Sequence, residues 1–374
     1  MRRALVLAHQ GIGLASPNPY VGAVIVEANG NIAGEGVYKY AGVKHAEVQA
    51  IEQAGERSRG GTLYINLEPH SHHGRTPPCT DALIGAGIKR VVAAMPDPNP
   101  KVSGRGFEKL RAAGIIVDVG LLEAEAKLLN ESFARFVRYG VPLVTLKGAM
   151  TLDGKIAPAA SGNRPEGVPA GGWITGETAR ARVHEQRHQN DALMVGMGTV
   201  LADDPLLTDR SGHPRRRPLL RVILDSKLRL PLCSRLVQST AKAGGGAEDI
   251  LVFCSSEADK KRKELESLGI RVEKAPASAD GRLDICAILR RLGELDIISL
   301  MIEGGASVSG SVLSWGLVDK VFLYYAPIIF GDGRSVPLTR GADLNRPLRL
   351  THSRVHHFGE DFAIEGYLRD PYAD

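Results

Sequence analysis

The residues with the most chemical content lie close together near the front of the chain: His45-Ala46-Glu47, Glu68-Pro69-His70 and Pro77-Pro78-Cys79. Imidazole and thiolate are zinc ligands, and a catalytic zinc site takes three protein ligands and keeps one position open for water. Zinc lowers the pKa of that water, so hydroxide is available near neutral pH. A carboxylate beside the water can carry protons without binding the metal. His45, His70 and Cys79 are of the right types for ligands, and Glu47 stands where a proton shuttle would stand. His72 and His73 are near enough in sequence to compete with His70. Proline is favoured at the first turn of a helix. Pro77-Pro78 therefore predicts that Cys79 projects from a helix start toward a second helix that begins near His45. Two helix N-termini directed at one point also favour an anion there.

Positioning these side chains requires an alternating fold. Residues 21–26, 62–67, 90–95 and 115–119 read as strands, and 47–53 as a helix that stops near Gly55. A further helix at 123–138 carries Leu128, Leu129, Phe133, Phe136 and Val137 at helical spacing and ends at Gly140. Such alternation implies a largely parallel sheet covered by helices. Tyr139-Gly140-Val141-Pro142 is the expected boundary, giving domains 1–142 and 143–374. The second part offers strands at 143–150, 192–195, 220–224, 250–253, 297–302 and 321–325. Helices at 177–188, 257–268, 284–292 and 308–315 lie between them, so a second α/β sheet is expected. Gly/Pro-rich segments at 159–172 and 240–246 interrupt it.

The bulk properties narrow the class. A chain of 374 residues is too long for one typical core and suits two domains. With 43% hydrophobic and 24% charged residues, its composition is that of a globular protein. A net charge of +5 is mild and suits anionic substrates such as phosphates. Cys79, Cys233, Cys254 and Cys286 have no paired spacing, which argues for a reducing compartment, the cytoplasm. The apolar run after Met1-Arg2-Arg3 meets His9 and Gln10 too soon for a signal peptide and reads as an amphipathic helix. No apolar stretch reaches the ~18 residues of a membrane span.

The order His-x-Glu, then Pro-Cys, is that of the zinc deaminases, in which water attacks a ring carbon bearing an amino group and ammonia leaves. Residues 1 to about 142 resemble, more narrowly, the deaminase domain of the bifunctional riboflavin-biosynthesis deaminase/reductase family. The resemblance is carried by Ser16-Pro17-Asn18-Pro19 with Val21-Gly22, and by His45-Ala46-Glu47-Val48 and Leu67-Glu68-Pro69. Gly74-Arg75-Thr76-Pro77-Pro78-Cys79 and Asp97-Pro98-Asn99-Pro100 complete it. It implies an α/β/α sandwich that deaminates a diaminopyrimidine carrying a ribosylamino 5′-phosphate. It makes Glu47 the proton shuttle and His45, His70 and Cys79 the zinc ligands, with Asn18 on the pyrimidine ring and Arg75 near the substrate. Two positions depart from the family pattern. Its second ligand is Cys where this chain has His70, and imidazole is also a good zinc ligand. The family's His nine residues before the Glu is here Tyr38, which cannot be a cationic contact.

The second part has no Gly-x-Gly-x-x-Gly after its first strand, so a plain Rossmann domain is unsupported. Gly304 and Gly305 lie between a strand and a helix, where backbone amides could approach a pyrophosphate. This half resembles the reductase half of the same family, similar in fold to dihydrofolate reductase. The matching stretches are Leu152-Asp153-Gly154-Lys155-Ile156-Ala157, Trp173-Ile174-Thr175-Gly176, Val200-Leu201-Ala202-Asp203-Asp204-Pro205-Leu206-Leu207-Thr208, Ile223-Leu224-Asp225-Ser226 and Glu303-Gly304-Gly305. The resemblance implies NADPH as hydride donor, lined by Ala149, Trp173, Thr199, Asp203, Ser226 and the run Gly305, Ala306, Ser307, Val308, Ser309, Gly310, Ser311. It places Arg187, Leu207, Arg210 and Glu303 on the substrate, and guanidinium suits phosphate or hydroxyl groups. A substrate-contacting Ser of the family is here Gly171, in a longer loop. Arg215-Arg216-Arg217 has no interleaved aromatics for base stacking and reads as a solvated loop, so no nucleic acid is expected.

The leading expectation is an enzyme that releases ammonia with its first half and then reduces ribosyl to ribityl with its second. The alternative is a reductase whose front domain serves as a scaffold. The expected partners are the phosphorylated pyrimidine and, by resemblance, a second copy of the chain in a dimer.

Overall fold

The computed structural model describes residues 1–72, 77–157, 173–242, 249–278, 281–331, 335–340, 344 and 346–373. The chain forms two compact units, Met1–Gly140 with Pro214–Arg217, and Val141–His213 with Pro218–Ala373. The first runs α1 (Arg2–His9), β1 (Gly22–Val26), β2 (Ile32–Val37), α2 (Ala46–Ala54), β3 (Thr62–Ile65) and α3 (Cys79–Gly85). It continues with β4 (Arg90–Ala93), α4 (Arg105–Ala112), β5 (Ile116–Val119), α5 (Glu123–Leu129) and α6 (Glu131–Tyr139). Its sheet has the order β2-β1-β3-β4-β5.

Only β3–β4 and β4–β5 are parallel in this unit; β1 runs antiparallel to both β2 and β3. The expectation of a largely parallel sheet is therefore corrected here. The reason is β2, whose Ile-Ala-Gly-Glu-Gly-Val has little strand propensity. Its glycines have a different use. A Cβ at Gly34 would overlap the carbonyl oxygen of Ala50, and one at Gly36 that of Ala46. Bare backbone at both positions lets α2 lie directly on β2. The helix expected at 123–138 is two helices, broken at Asn130 (φ −107°, ψ 18°). The buried Asn130 side chain accepts the Tyr20 N–H at 2.8 Å and donates to the Tyr20 carbonyl at 3.1 Å. These bonds, not helix continuation, set its backbone. Arg215-Arg216-Arg217 is also corrected from a solvated loop. The Arg216 guanidinium lies 4.0 Å from the centre of the Tyr40 ring, and its Nε donates to the Ser16 carbonyl at 3.1 Å. Arg217 donates to the Ser16 hydroxyl at 3.2 Å.

The second unit begins with β6 (Leu143–Thr151), β7 (Lys155–Ala157), α7 (Glu177–Gln189), β8 (Ala192–Gly196), α8 (Met197–Asp203), β9 (Leu220–Leu224) and α9 (Arg235–Lys242). There follow β10 (Ile250–Cys254), α10 (Asp259–Ser267), β11 (Arg271–Lys274), α11 (Ile285–Glu294), β12 (Ser299–Ile302) and α12 (Ala306–Ser314). It ends with β13 (Lys320–Ala326), β14 (Val336–Pro337), β15 (Thr351–Phe358) and β16 (Asp361–Tyr367). The large sheet has the order β11-β10-β9-β8-β12-β6-β13-β16-β15, and β7 pairs with β14 apart from it. Strands β11 through β13 are mutually parallel, while β16 and β15 run antiparallel at one edge.

Side chains alternate across the parallel strands, and both faces are buried. Met194, Leu300 and Ile302 join one apolar cluster, while Leu193, Val195 and Met301 join the other. Double burial explains why these strands read as continuous apolar runs. It also leaves the C-terminal edge of the parallel strands as the place for a ligand, as in other open α/β sheets.

Candidate active sites

His45 caps α2 with extended backbone (φ −68°, ψ 158°), and Glu47 follows in the first turn, 3% exposed. Cys79 is the first residue of α3, with Pro78 at the cap, and is fully buried. His70 lies between β3 and α3. The Cys79 Sγ is 3.4 Å from His45 Nδ1, and the rings of His45 and His70 are centred 4.5 Å apart. One ligand atom from each of His45, His70 and Cys79 falls within 4.8 Å of the others. Ligands of a tetrahedral zinc stand roughly 3.5 Å from one another, so little adjustment is needed. His72 is exposed and lies outside this convergent set, although its ring is centred 5.4 Å from that of His70.

The electrostatics of the cluster fit a cation. Burial pushes the Cys79 thiol far up, and the neighbouring Glu47 carboxylate adds to the effect. Burial also raises the Glu47 carboxyl, against the opposing pull of His45. A divalent ion among these groups would reverse the penalty on the thiolate.

Two further residues shape the pocket. Tyr38 is buried with its ring edge-on to His45, centres 5.3 Å apart and planes at 73°. Its hydroxyl accepts a hydrogen bond from Asn18 Nδ2 at 2.6 Å. Glu68 is buried and accepts three backbone N–H groups, from Asp97 at 3.0 Å, Gly104 at 2.9 Å and Gly106 at 2.8 Å. A Cβ at Gly106 would overlap the Pro69 carbonyl oxygen. The 97–106 loop is thus clamped onto the turn that carries His70. The sequence marks Glu68 and Asp97 as family stretches but gives no sign that they meet.

In the second unit, Arg187 on α7 grips Glu303, just past β12, with two bonds of 2.8 and 2.9 Å. Its third nitrogen donates to the Thr208 carbonyl at 2.9 Å. Lys147 on β6 stands 3.9 Å from Glu303, and all three side chains are at most 15% exposed. Burial alone would raise the Glu303 carboxyl; Arg187 and Lys147 override it and bring it down to about 2. Burial lowers Lys147, with Glu303 opposing and Arg187 assisting. A lone Lys in a strand looks like a surface residue in sequence, so Lys147 was not legible as part of this group. Leu207 is buried with φ +56°, and Arg210 is exposed. A branched side chain held in the left-handed region marks a constrained backbone beside the site.

The residues assigned to the dinucleotide distribute over the C-terminal edge of the sheet. Ala149 is on β6, Thr199 and Asp203 on α8 after β8, Ser226 after β9, and Gly305 caps α12 after β12. A Cβ at Gly305 would stand 3.1 Å from Thr199 Oγ1, so those two elements meet closely. Ala306, Ser307 and Val308 form the first turn of α12. Ser309 donates to the Gly304 carbonyl at 3.3 Å, Gly310 is buried, and Ser311 accepts from Arg282 at 3.2 Å. Trp173 is 54% exposed, with the Arg180 guanidinium 5.3 Å from its ring. Arg75, His73 and Gly171 lie outside the described residues.

Comparison with known proteins bears on both halves. Residues 1–95 match the cytidine and deoxycytidylate deaminase zinc-binding region. Residues 142–364, more than half of the chain, match the RibD C-terminal domain. The chain belongs to the RibD family. The riboflavin biosynthesis protein RibD of Aquifex aeolicus is 40% identical over 364 residues, 97% of this chain and 96% of that protein. RibD of Escherichia coli is 38% identical over 379 residues, 97% of each. Among solved structures, Acinetobacter baumannii RibD aligns with a TM-score of 0.83 at 35% identity, covering 98% of this chain and 97% of that one. The diaminohydroxyphosphoribosylaminopyrimidine deaminase/5-amino-6-(5-phosphoribosylamino)uracil reductase of Thermotoga maritima aligns with a TM-score of 0.80 at 40% identity, covering 98% and 97%.

As a RibD-family member, the chain is a bifunctional enzyme of riboflavin biosynthesis, a deaminase in front of a reductase. The front half is a zinc-binding deaminase domain with a His-His-Cys cluster, and the RibD reductase domain uses NADPH. The substrate is a small pyrimidine. Among the described residues no helix is long and apolar enough to cross a membrane.

Proposed function

We propose that residues 1–142 deaminate 2,5-diamino-6-ribosylamino-4(3H)-pyrimidinone 5′-phosphate and that residues 143–374 then reduce its ribosyl group to ribityl. His45, His70 and Cys79 hold the zinc. Bound there, zinc supplies Lewis acidity that brings the pKa of a water molecule toward neutrality. The ring carbon exchanges its bond to nitrogen for a bond to oxygen, and Glu47 carries a proton from water to the departing ammonia. Its place in the first turn of α2, two residues after His45 and buried, suits this role. Asn18 contacts the pyrimidine ring, and Arg75 lies near the substrate.

In the reductase, Ala149, Trp173, Thr199, Asp203, Ser226 and the Gly305 to Ser311 turn line the site of NADPH. Arg187, Leu207, Arg210, Glu303 and Gly171 contact the substrate, and the two arginines suit its phosphate or hydroxyl groups. Their work is to keep donor and acceptor carbons in contact and to match phosphate charge. The enzyme works in the cytoplasm as a homodimer.

The observation that carries the two-activity reading is the convergence of His45, His70 and Cys79 beside a buried Glu47. A scaffold domain needs no such cluster. The test is metal analysis with ammonia and NADPH assays on the purified chain. About one zinc per chain is expected, with ammonia released and NADPH oxidised only when the pyrimidine phosphate is present. NADPH oxidation with the deaminated pyrimidine, but neither zinc nor ammonia, would reduce the chain to a reductase.

A further inference from the structure

Tyr38 touches two different parts of the deaminase site with one side chain. Its ring packs edge-on against His45, and its hydroxyl takes a hydrogen bond from the Asn18 carboxamide at 2.6 Å. Tyr38 as a whole is 6% exposed, so little of its ring or hydroxyl meets solvent. Its backbone is fixed as well, because the Tyr38 N–H donates to the Val21 carbonyl at 2.9 Å. Asn18 itself lies on the irregular segment between α1 and β1, tied by its N–H to the Ala15 carbonyl at 3.1 Å. Segments of that kind hold a side chain loosely unless something fixes its torsions.

We propose that Tyr38 is a positioning residue of the deaminase, acting on the pyrimidine through Asn18. The proposal rests on the reading above in which Asn18 meets the pyrimidine ring. With one N–H of Nδ2 engaged by Tyr38, the Asn18 carboxamide keeps its Oδ1 acceptor and its second N–H for a ligand. An amide oxygen only accepts. A pyrimidine edge that faces Oδ1 therefore carries a donor, a ring N–H or an exocyclic amino group. A ligand presenting an acceptor there would leave two acceptors opposed, a penalty that rejects analogues strongly in a desolvated pocket. The hydroxyl thus selects which face of the carboxamide the substrate meets, and the ring contact ties that choice to the placement of His45.

The test is a double-mutant cycle in the full, zinc-loaded chain, read by steady-state ammonia release. Tyr38→Phe keeps the ring against His45 and removes only the hydroxyl. It is expected to raise KM about tenfold with kcat within about twofold, the pattern of a lost contact made equally in ground and transition states. Asn18→Ala is expected to raise KM at least as far. In the Asn18→Ala background the Tyr38→Phe change should do nothing more, because residues acting as one unit are not additive. Zinc per chain and the reductase kinetics should match the parent in all three variants, which separates positioning from loss of structure. An unchanged KM in Tyr38→Phe overturns the proposal. So does a tenfold effect that persists in the absence of the Asn18 carboxamide. If the parent chain releases no ammonia, the deaminase reading and this proposal fall together, and that result is visible before any variant is compared.

Discussion

The Arg187–Glu303 pair gives the most quantitative handle on the reductase half. Replacing Glu303 by Gln keeps the shape and one acceptor but removes the charge. In the parent protein the Glu303 carboxyl sits at about 2 against an ordinary 4.5. At about 1.4 kcal/mol per pKa unit, this difference corresponds to on the order of 3 kcal/mol of stability at neutral pH. The side chains are 11% exposed, so solvent screens the pair little. Removing one partner of a buried pair costs about 3–5 kcal/mol by the same physics, because Arg187 stays charged without its counter-ion. Of the two neighbouring cations Arg187 dominates, with bonds of 2.8 and 2.9 Å against 3.9 Å for Lys147.

The pH dependence has a definite sign. A carboxyl depressed in the folded state stabilises fully above its ordinary value and loses that contribution as pH falls toward the folded value. The gap between parent and Glu303→Gln should therefore be flat from pH 8 to about 5. It should shrink to less than half by about pH 3 and vanish only below about pH 2. Urea unfolding followed by tryptophan fluorescence reads this cleanly, since the chain's two tryptophans, Trp173 and Trp315, both lie in the second unit. A gap below about 1 kcal/mol at pH 7, or one that stays constant down to pH 3, would refute the reasoning.

Other outcomes follow from the deaminase half. His70→Ala should leave the purified chain with well under one zinc, whereas His72→Ala should keep the parent stoichiometry by metal analysis; the reverse pattern would transfer the third ligand to His72. Glu68→Gln must turn an amide N–H toward at least one of the backbone N–H groups that the carboxylate now serves. Loss of that clamp should weaken zinc roughly 10- to 100-fold in chelator competition while reductase turnover stays unchanged, and parent-like zinc affinity would count against any role of the 97–106 loop in holding His70.

What the sequence made legible, and what it hid, follows the range of the interactions involved. His45, Glu47 and Cys79 were readable because each belongs to a local signal, a cap or a first turn after proline, and short-range signals fix where side chains leave a helix. The apolar strands β6, β8, β9, β10 and β12 were readable because burial on both faces leaves an uninterrupted hydrophobic run. Strand β2 was not, since its glycines answer to α2 passing overhead and not to strand propensity. Strand β15 was hidden for the opposite reason: it is an edge strand whose residues are mostly exposed, and Arg354, His356 and His357 give it the polarity of a loop.

The same division runs through the sites. Arg187 and Glu303 are 116 positions apart, and Glu68 serves amides 29 to 38 positions away. No spacing rule reaches across such distances; only the folded sheet brings the partners together. Tyr38 shows the consequence for reading a substitution. Taken alone, its replacement of a family His removes a cation and argues for a weaker site. Its hydroxyl on Asn18 and its ring on His45 instead give the residue work that the missing charge could not have done. A departure from a family pattern is therefore informative about activity only after its new neighbours are known, and here those neighbours are a residue of the His-His-Cys cluster and the proposed substrate contact.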